Sequence, residues 1–282
     1  MRAHPLGRIS ALIAFIAGSL VLLVGPAPAA SSAPAWAPAA TATIHPGVQM
    51  VTDGAQCTAN FVFYRDADVF IGYAAHCAGT GEATDTNGCD AASLPLGTPV
   101  EIDGASQPGT LVYSSWLAMQ AQPQRPDVDT CSYNDLAIVR LATADRGKVN
   151  PSIPHWGGPT GINTTGNPAL SSIYTYGNSS LRLGIALLSP KSGVSLGTTG
   201  NGWTHPAYTV TPGIPGDSGS AMLDASGRAS GVLSTLAIAP IPASNNFSDL
   251  SRTLAYAHSH GQAGLTLALG TQAFNPNQLP LG

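Results

Sequence analysis

The sequence predicts an all-β protein whose chain ends in one helix. Glycine (32 residues) and proline (23 residues) are abundant, and only 9% of the residues are charged. Turn-forming residues at this frequency favour short strands. The predicted strands are residues 58–64, 69–75, 99–102, 109–113, 136–141, 173–176, 185–189, 208–210, 220–223 and 229–234. Many short strands before one helix fit a pair of packed antiparallel β-barrels closed by that helix.

The helix is predicted from apolar residues near the C-terminus. Those that recur at intervals of three or four are Phe247, Leu250, Leu254 and Ala257. This spacing is that of one face of an α-helix. Either Asn246 or Ser248 is suited to cap its N-terminus.

The chain divides into four predicted segments. Residues 1–29 contain two arginines, an apolar run and then small residues, which is the pattern of a secretory signal peptide. An uncleaved anchor is the alternative, although the apolar run of roughly 17 residues is short for a spanning helix. Residues 30–43, rich in Ala, Pro and Ser, predict a flexible linker or a short pro-segment. Residues 44–150 and 151–282 each carry a set of strands and are predicted as two β-barrel lobes.

Charge and composition exclude several classes of partner. The formal net charge is −4. Without a basic surface or a polybasic segment, we expect no nucleic acid partner and, after signal cleavage, no membrane partner. The histidines show no spacing typical of metal ligands, so we expect neither a metal nor another cofactor. We predict an extracellular monomer.

The cysteine count points to an oxidising compartment. The four cysteines are Cys57, Cys77, Cys89 and Cys131. An even number behind a signal peptide indicates two disulfides. The sequence alone leaves all three pairings open.

The first motif with catalytic potential is the segment YAAHC at residues 73–77, at the end of a predicted strand. A histidine titrates near neutral pH, so His76 could take a proton from a nucleophile and return it to a leaving group. An ordinary loop histidine is the alternative for this residue taken alone.

The second motif is NDLAIVRL at residues 134–141, where Asp135 directly precedes an apolar strand. A carboxylate in such a place can accept the Nδ1–H of an imidazole and fix its tautomer. A turn aspartate that caps the strand is the alternative.

The third motif is GIPGDSGSA at residues 213–221, centred on Ser218. A serine nucleophile must be exposed on a tight turn, and flanking glycines permit that turn. The N–H groups of Gly216 and Ser218 could converge on an oxyanion. A plain Gly/Ser turn is the alternative.

Together, and in this order, the three motifs resemble those of the trypsin/chymotrypsin family of serine proteases, and most closely its bacterial secreted branch. The resemblance extends from about Cys57 to the C-terminal helix. It implies two antiparallel six-stranded Greek-key barrels and a secreted endopeptidase that acts through an acyl-enzyme on a polypeptide substrate. The alternatives are a catalytically silent binding module and an esterase-type acyl hydrolase on the same fold.

The resemblance also implies roles for individual residues. Ser218 would be the nucleophile, His76 the base and then the acid, and Asp135 the residue that orients His76. Gly216 and Ser218 would supply the oxyanion hole. The backbone of Ser234 would bind an extended substrate strand.

Features of the bacterial branch imply structural pairs. The spacing of 20 residues between Cys57 and Cys77 resembles its disulfide beside the histidine, which leaves Cys89 to pair with Cys131. The segment KSGVSLG at residues 191–197 resembles another of its motifs. By this analogy Lys191 would pair with Asp217.

The resemblance places the specificity pocket near Pro212 and Gly213. Neither residue is acidic, nor is the adjacent Thr211, so we expect no preference for cleavage after Arg or Lys. Leu236 stands where many family members have a glycine. We therefore expect a narrow pocket for small apolar side chains.

Overall fold

The computed structural model describes Met1 and residues 33–81, 86–236 and 243–278. Apart from Met1, the predicted signal peptide lies outside the described residues. From residue 33 onward, everything described belongs to one unit of the chain, Ser32–Gly282. No helix within these ranges is both long and apolar enough to span a bilayer.

Fourteen strands and three α-helices form the framework of the described ranges. The strands are β1 (Gln49–Thr52), β2 (Ala55–Thr58), β3 (Val62–Arg65), β4 (Asp68–Tyr73), β5 (Pro99–Ile102), β6 (Gly109–Ser114), β7 (Ala137–Arg140), β8 (Ser172–Tyr176), β9 (Pro190–Ser195), β10 (Thr204–Val210), β11 (Ala221–Leu223), β12 (Ala229–Leu236), β13 (Asn245–Asp249) and β14 (Thr266–Leu267). The helices are α1 (Ser115–Gln120), α2 (Val128–Tyr133) and α3 (Leu250–Ser259).

The strands form two antiparallel assemblies. The second half of the chain closes a six-stranded barrel in the order β10-β13-β12-β11-β8-β9. The seven strands of the first half, together with β14, form an eight-stranded sheet in the order β14-β3-β4-β7-β6-β5-β1-β2. The predicted all-β class with a C-terminal helix is confirmed, and the first sheet holds more strands than the expected six.

The eighth strand of this sheet, β14, comes from the C-terminal end of the chain. Thr266 and Leu267 pair with Tyr64 and Phe63 of β3. Leu267 is buried there. The chain therefore returns after α3 to cover one edge of the first sheet, which leaves fewer backbone groups unpaired at that edge.

Two sequence predictions about secondary structure were wrong. The predicted strand 185–189 contains instead a 3₁₀-helix at Ala186–Leu188, because the positive φ angles of Leu183 (55°) and Gly184 (75°) turn the chain there. The predicted N-cap was displaced as well. Residues 245–249 form β13, so α3 begins at Leu250 and the Asp249 side chain accepts a hydrogen bond from Arg252 N.

Part of the segment predicted as a linker is bound to the fold. Ala37 N donates to Val149 O (2.9 Å), and Asn150 Nδ2 donates to Ala37 O (2.6 Å). The ring of Trp36 meets that of Tyr64 edge-on, with centroids 6.3 Å apart.

Both predicted disulfides are present. Cys57 is bonded to Cys77 and Cys89 to Cys131, the pairs that the resemblance implied. The first bond ties β2 to the residue that follows His76. The second ties α2, which ends two residues before Asp135, to the loop that carries Cys89.

Candidate active site

His76 is held by a short 3₁₀-helix, Ala75–Ala78, that follows strand β4. Its ring Nδ1–H donates to Asp135 Oδ2 over 2.7 Å, and its backbone N–H donates to Asp135 Oδ1 over 2.9 Å. One carboxylate thus fixes both the main chain and the ring of His76. With Nδ1 occupied in this way, Nε2 is the nitrogen left to exchange a proton with a substrate or a nucleophile.

Asp135 lies between α2 and β7 and is only 3% exposed. The turn that carries it is fixed by Ser115, whose Oγ donates to Asn134 O (2.7 Å) and accepts from Leu136 N (3.1 Å). A further hydrogen bond comes from Ser234 Oγ to Asp135 Oδ2 (2.5 Å). The carboxylate is therefore buried with its acceptor sites occupied, as a buried charge requires.

The electrostatic interaction between His76 and Asp135 raises the pKa of His76 and lowers the pKa of Asp135. Burial by itself lowers the pKa of His76, but the charge and the hydrogen bond of Asp135 outweigh it, so the pKa is raised. Burial also opposes ionisation of Asp135, but the charge of His76 and the hydrogen bonds from His76 and Ser234 lower its pKa. The pair favours an ionised carboxylate beside the imidazole.

Ser218 sits on a turn that only glycine-rich sequence can form. Gly216 and Gly219 have φ angles of 93° and 88°, in the left-handed region that glycine adopts freely. A Cβ on Gly219 would lie 2.6 Å from Thr58 O. Thr58 N donates to Ser218 O over 2.8 Å, which anchors the turn to β2.

Ser218 and His76 line the same cleft, which has a volume of about 660 Å³. Within the described residues, the Ser218 hydroxyl makes no hydrogen bond to His76. Such a contact between nucleophile and base is often longer in a protein without substrate. The backbone N–H groups of Gly216 and Ser218 also donate to no described group. The turn therefore presents a hydroxyl and two backbone donors that are not engaged elsewhere in the described structure.

Asp217 is fully buried behind this turn and binds two cations. Lys191 Nζ lies 3.2 Å and Arg182 Nη2 lies 2.7 Å from Asp217 Oδ2. The backbone N–H groups of Ser179 and Ile214 donate to the same carboxylate. Burial lowers the pKa of Lys191 to about 8, with Asp217 opposing this shift and Arg182 adding to it. Sequence reasoning missed Arg182 as a partner of Asp217, because Arg182 belongs to no recognisable motif and precedes an exposed loop.

Comparisons with known proteins bear on the fold. No family model and no curated protein sequence matches the chain. Among solved structures, protease A of Thermobifida fusca matches with a TM-score of 0.50 and 18% identity, over 80% of this chain and 99% of that one. The fold is chymotrypsin-like. A further match is Nocardiopsis protease, with a TM-score of 0.46 and 17% identity over 79% of this chain and 98% of that one. Another is Cellulomonas bogoriensis chymotrypsin, with a TM-score of 0.45 and 18% identity over 80% of this chain and 98% of that one.

In this chymotrypsin-like fold, three of the four predicted pocket residues line the cleft. Gly213, Ser234 and Leu236 do so, and Pro212 is not among the lining residues. The carbonyl of Pro212 accepts a hydrogen bond from Arg182 Nη2 instead (3.1 Å). Pro212 therefore lies on the side of the turn that faces the buried cations.

Asn245 is a pocket residue that sequence reasoning missed. Its Oδ1 accepts from Gly213 N (2.7 Å), and its Nδ2 donates to Gly213 O (3.3 Å) and Thr235 O (3.5 Å). The side chain thus bridges the two walls of the cleft formed by Gly213 and by β12. No local pattern identified it, because the later residues of β13, from Phe247 onward, were read as the start of the helix.

One cluster of possible metal ligands occurs in the described ranges. It consists of Cys57, His76 and Cys77. Both sulfur atoms belong to one disulfide, so neither can act as the thiolate ligand that metals bind. The chemistry of this site is therefore that of an imidazole, a carboxylate and a hydroxyl.

Proposed function

We propose that the protein is a secreted serine endopeptidase in which His76, Asp135 and Ser218 form the catalytic triad. The observation that carries this proposal is the double hydrogen bond from His76 to the buried Asp135, beside a cleft that Ser218 also lines. A histidine oriented by a buried carboxylate is the arrangement that turns imidazole into an effective general base. The match to protease A of Thermobifida fusca agrees with it.

The reaction would proceed through an acyl-enzyme. Ser218 Oγ attacks the scissile carbonyl while His76 Nε2 takes its proton, and the imidazolium is stabilised by Asp135. The oxyanion accepts hydrogen bonds from Gly216 N and Ser218 N. His76 then returns the proton to the leaving amine, and a water molecule activated by His76 hydrolyses the ester.

An extended polypeptide is the substrate that β12 favours. The register of β12 against β13 shifts between Leu233 and Thr235, so Ser234 lies outside the ladder pairs. The backbone of Ser234 is therefore suited to accept a substrate strand at the side of the cleft. Acyl esters lack the repeated N–H and C=O groups that such pairing uses.

The pocket favours a small apolar side chain before the scissile bond. Among the described residues, no Asp or Glu lines the cleft, so nothing there pairs with Arg or Lys. A Cβ placed on Gly213 would lie 2.9 Å from both Asn245 and Leu233. The Asn245 and Leu233 side chains therefore pack close to Gly213 and narrow the pocket beside it.

Secretion is supported by two features of the chain. Residues 1–29 have the basic, apolar and small-residue order of a signal peptide. All four cysteines are paired in disulfides, which persist mainly in oxidising compartments.

Labelling with a fluorophosphonate probe tests the proposal. The wild-type chain should label, whereas Ser218→Ala and His76→Ala should not. Ser226→Ala serves as the control, since Ser226 is an exposed serine of the same half of the chain. A folded wild-type chain that fails to label, or Ser218→Ala that labels equally, would overturn the proposal. Cleavage of internal peptide bonds in a peptide library would separate an endopeptidase from an enzyme that hydrolyses esters alone.

A further inference from the structure

We infer that Gln56 and Thr58 are positioning residues for the oxyanion site, an inference that rests on the proposed function. Gln56 Nε2 donates to Gly216 O over 3.0 Å, and Thr58 Oγ1 donates to the same oxygen over 2.7 Å. A carbonyl oxygen has two lone pairs. These two side chains therefore fill the acceptor capacity of Gly216 O.

The turn needs such an external anchor because Gly216 does not lock itself. Its φ angle is 93°, and glycine crosses between positive and negative φ at little cost. A rotation about the Gly216 backbone would turn its N–H away from the cleft. The Gly216 N–H belongs to the Pro215–Gly216 peptide, which Ser179 Oγ holds by donating to Pro215 O (2.5 Å). The two hydrogen bonds to Gly216 O hold the next peptide, so that both sides of Gly216 are fixed in the conformation in which the N–H groups of Gly216 and Ser218 stay unengaged.

Gln56 and Thr58 are well placed for this task because they are two residues apart on β2. Side chains at positions i and i+2 of a strand point to the same face. Cys57, which lies between them, is bonded to Cys77 next to His76. The element that supports the oxyanion turn is thus covalently joined to the segment that carries the proposed general base.

Both side chains are themselves held in place. Gln56 Oε1 accepts from Ser180 N (2.9 Å), and Thr58 Oγ1 accepts from Asn178 N (3.1 Å). Gln56 also lines the cleft, but its amide donates to Cys57 O (2.8 Å) and to Gly216 O, and its carbonyl oxygen is engaged by Ser180. It therefore acts through Gly216 rather than on the substrate.

A second glutamine provides a matched control. Gln49 Nε2 donates to Asn178 O over 3.0 Å, and Gln56 Nε2 approaches the same oxygen at 3.3 Å. Only Gln56 also reaches Gly216 O. If Gln56 served only to hold the loop around Asn178, loss of Gln56 and loss of Gln49 would have equal effects on catalysis.

The experiment compares Gln56→Ala, Thr58→Val and their double variant with Gln49→Ala and Thr58→Ser. For each full chain, kcat and KM on a peptide substrate and the rate of fluorophosphonate labelling are measured. We expect kcat and the labelling rate to fall roughly three- to tenfold in each of the first two single variants, the loss expected for one hydrogen bond. The double variant should lose roughly 100-fold, approaching the loss of an oxyanion donor. KM should be unchanged, and both control variants should retain wild-type kcat.

The outcomes separate this inference from the proposed function. An active wild type in which Gln56→Ala loses no more kcat than Gln49→Ala, or loses only in KM, would overturn the inference alone. An inactive wild type would overturn the proposed function and this inference with it. If Thr58→Val does not fold, the comparison of the two glutamines decides, since Gln56 is only partly buried.

Discussion

Ser234 donates a hydrogen bond of 2.5 Å to Asp135, although 99 residues separate them in sequence. The contact depends on the register shift of β12 between Leu233 and Thr235. Because Ser234 lies outside the ladder at that point, its hydroxyl can approach the carboxylate of the other half of the chain. It binds Oδ2, the same oxygen that accepts the ring N–H of His76.

The first prediction concerns this hydroxyl. Ser234→Ala should lower kcat about tenfold, because a hydrogen bond to a charged group contributes about 1.5–3 kcal/mol and two other hydrogen bonds to Asp135 remain. The loss of this donor should also raise the pKa of Asp135, which Ser234 helps to lower. Steady-state kinetics measures the first effect, and NMR titration of the Asp135 carboxyl group measures the second.

Ser230→Ala is the control for that variant. Ser230 lies on the same strand and is fully buried, and its Oγ accepts from Asn167 Nδ2 (2.6 Å), away from Asp135. Its loss should lower the free energy of unfolding by about 1–3 kcal/mol, because it leaves a buried amide unsatisfied, without lowering kcat. A larger fall in kcat for Ser230→Ala than for Ser234→Ala would show that disturbance of β12, and not the carboxylate contact, governs activity.

The second prediction concerns pH. The proposed base must be neutral, and the pKa of His76 lies above its ordinary value of 6.5. The profile of kcat/KM should therefore rise through a midpoint above pH 6.5. Asp135→Asn should move the midpoint down, because it removes the charge that raises this pKa. NMR titration of the His76 ring in the Ser218→Ala chain measures the pKa directly.

The raised pKa of His76 also determines how the stability of the folded chain changes with pH. Since folding raises the pKa of His76, its interaction with Asp135 stabilises the chain fully below pH 6.5 and is lost as pH rises through the higher folded value. Urea unfolding of Ser218→Ala across that window should show the decline, and His76→Ala in the same background should remove it. A decline that persists without His76 would assign it to another group.

The third prediction concerns the two cations on Asp217. In either single variant, Lys191→Met or Arg182→Met, Asp217 keeps one cationic partner. Each should therefore lower the free energy of unfolding by less than the loss expected for an unpaired buried charge. The double variant should lose about 3–5 kcal/mol, because the buried carboxylate then has no counter-ion. The free energy of unfolding in urea for all four chains gives the coupling directly.

Arg228→Met is the comparison for the arginine. Arg228 pairs with Asp224 at 2.7 Å, but its side chain is 41% exposed, and exposed pairs contribute about 0–1 kcal/mol. Additive losses in the Lys191 and Arg182 cycle would contradict the sharing of one carboxylate. Arg182→Met should also raise the pKa of Lys191 above its present value of about 8, because Arg182 helps to lower it.

The fourth prediction concerns the width of the pocket. Asn245→Ala removes the side chain that bridges Gly213 and Thr235. The ratio of kcat/KM for Phe over Ala before the scissile bond should rise roughly tenfold, as expected for added apolar pocket space. Asn246→Ala is the control, since the side-chain amide of Asn246 donates to Thr235 Oγ1 (3.0 Å) and does not reach Gly213. An equal change in both variants would mean that β13 as a whole, and not Asn245, sets the preference.

The sequence was most informative where the residues of one short segment are enough to indicate its structure or its chemistry. An apolar strand that ends in His76, an aspartate that directly precedes β7 and a glycine-flanked Ser218 are each local patterns. The number of cysteines and the turn-rich composition are likewise independent of how the chain is folded in space. These features were enough to predict an all-β, disulfide-bonded protein with a C-terminal helix.

Local patterns misled where tertiary pairing decides between two structures. Phe247 has helical spacing relative to Leu250, yet it forms part of β13, because Gly231 to Leu236 of β12 offer a ladder to that segment. The segment 185–189 has the apolar character of a strand, but no strand of the described ranges pairs with it. Propensity sets only a small preference in such cases, and hydrogen bonding to a neighbouring strand overrides it.

The sequence by itself determined which residue types could carry the chemistry and on what kind of turn or strand each lies. Only the tertiary structure decided that Gln56, Arg182, Ser234 and Asn245 support them through side-chain contacts. The physical reason is that these contacts join residues tens to more than a hundred positions apart. They are fixed by strand register and loop path, which leave no periodic trace in the sequence.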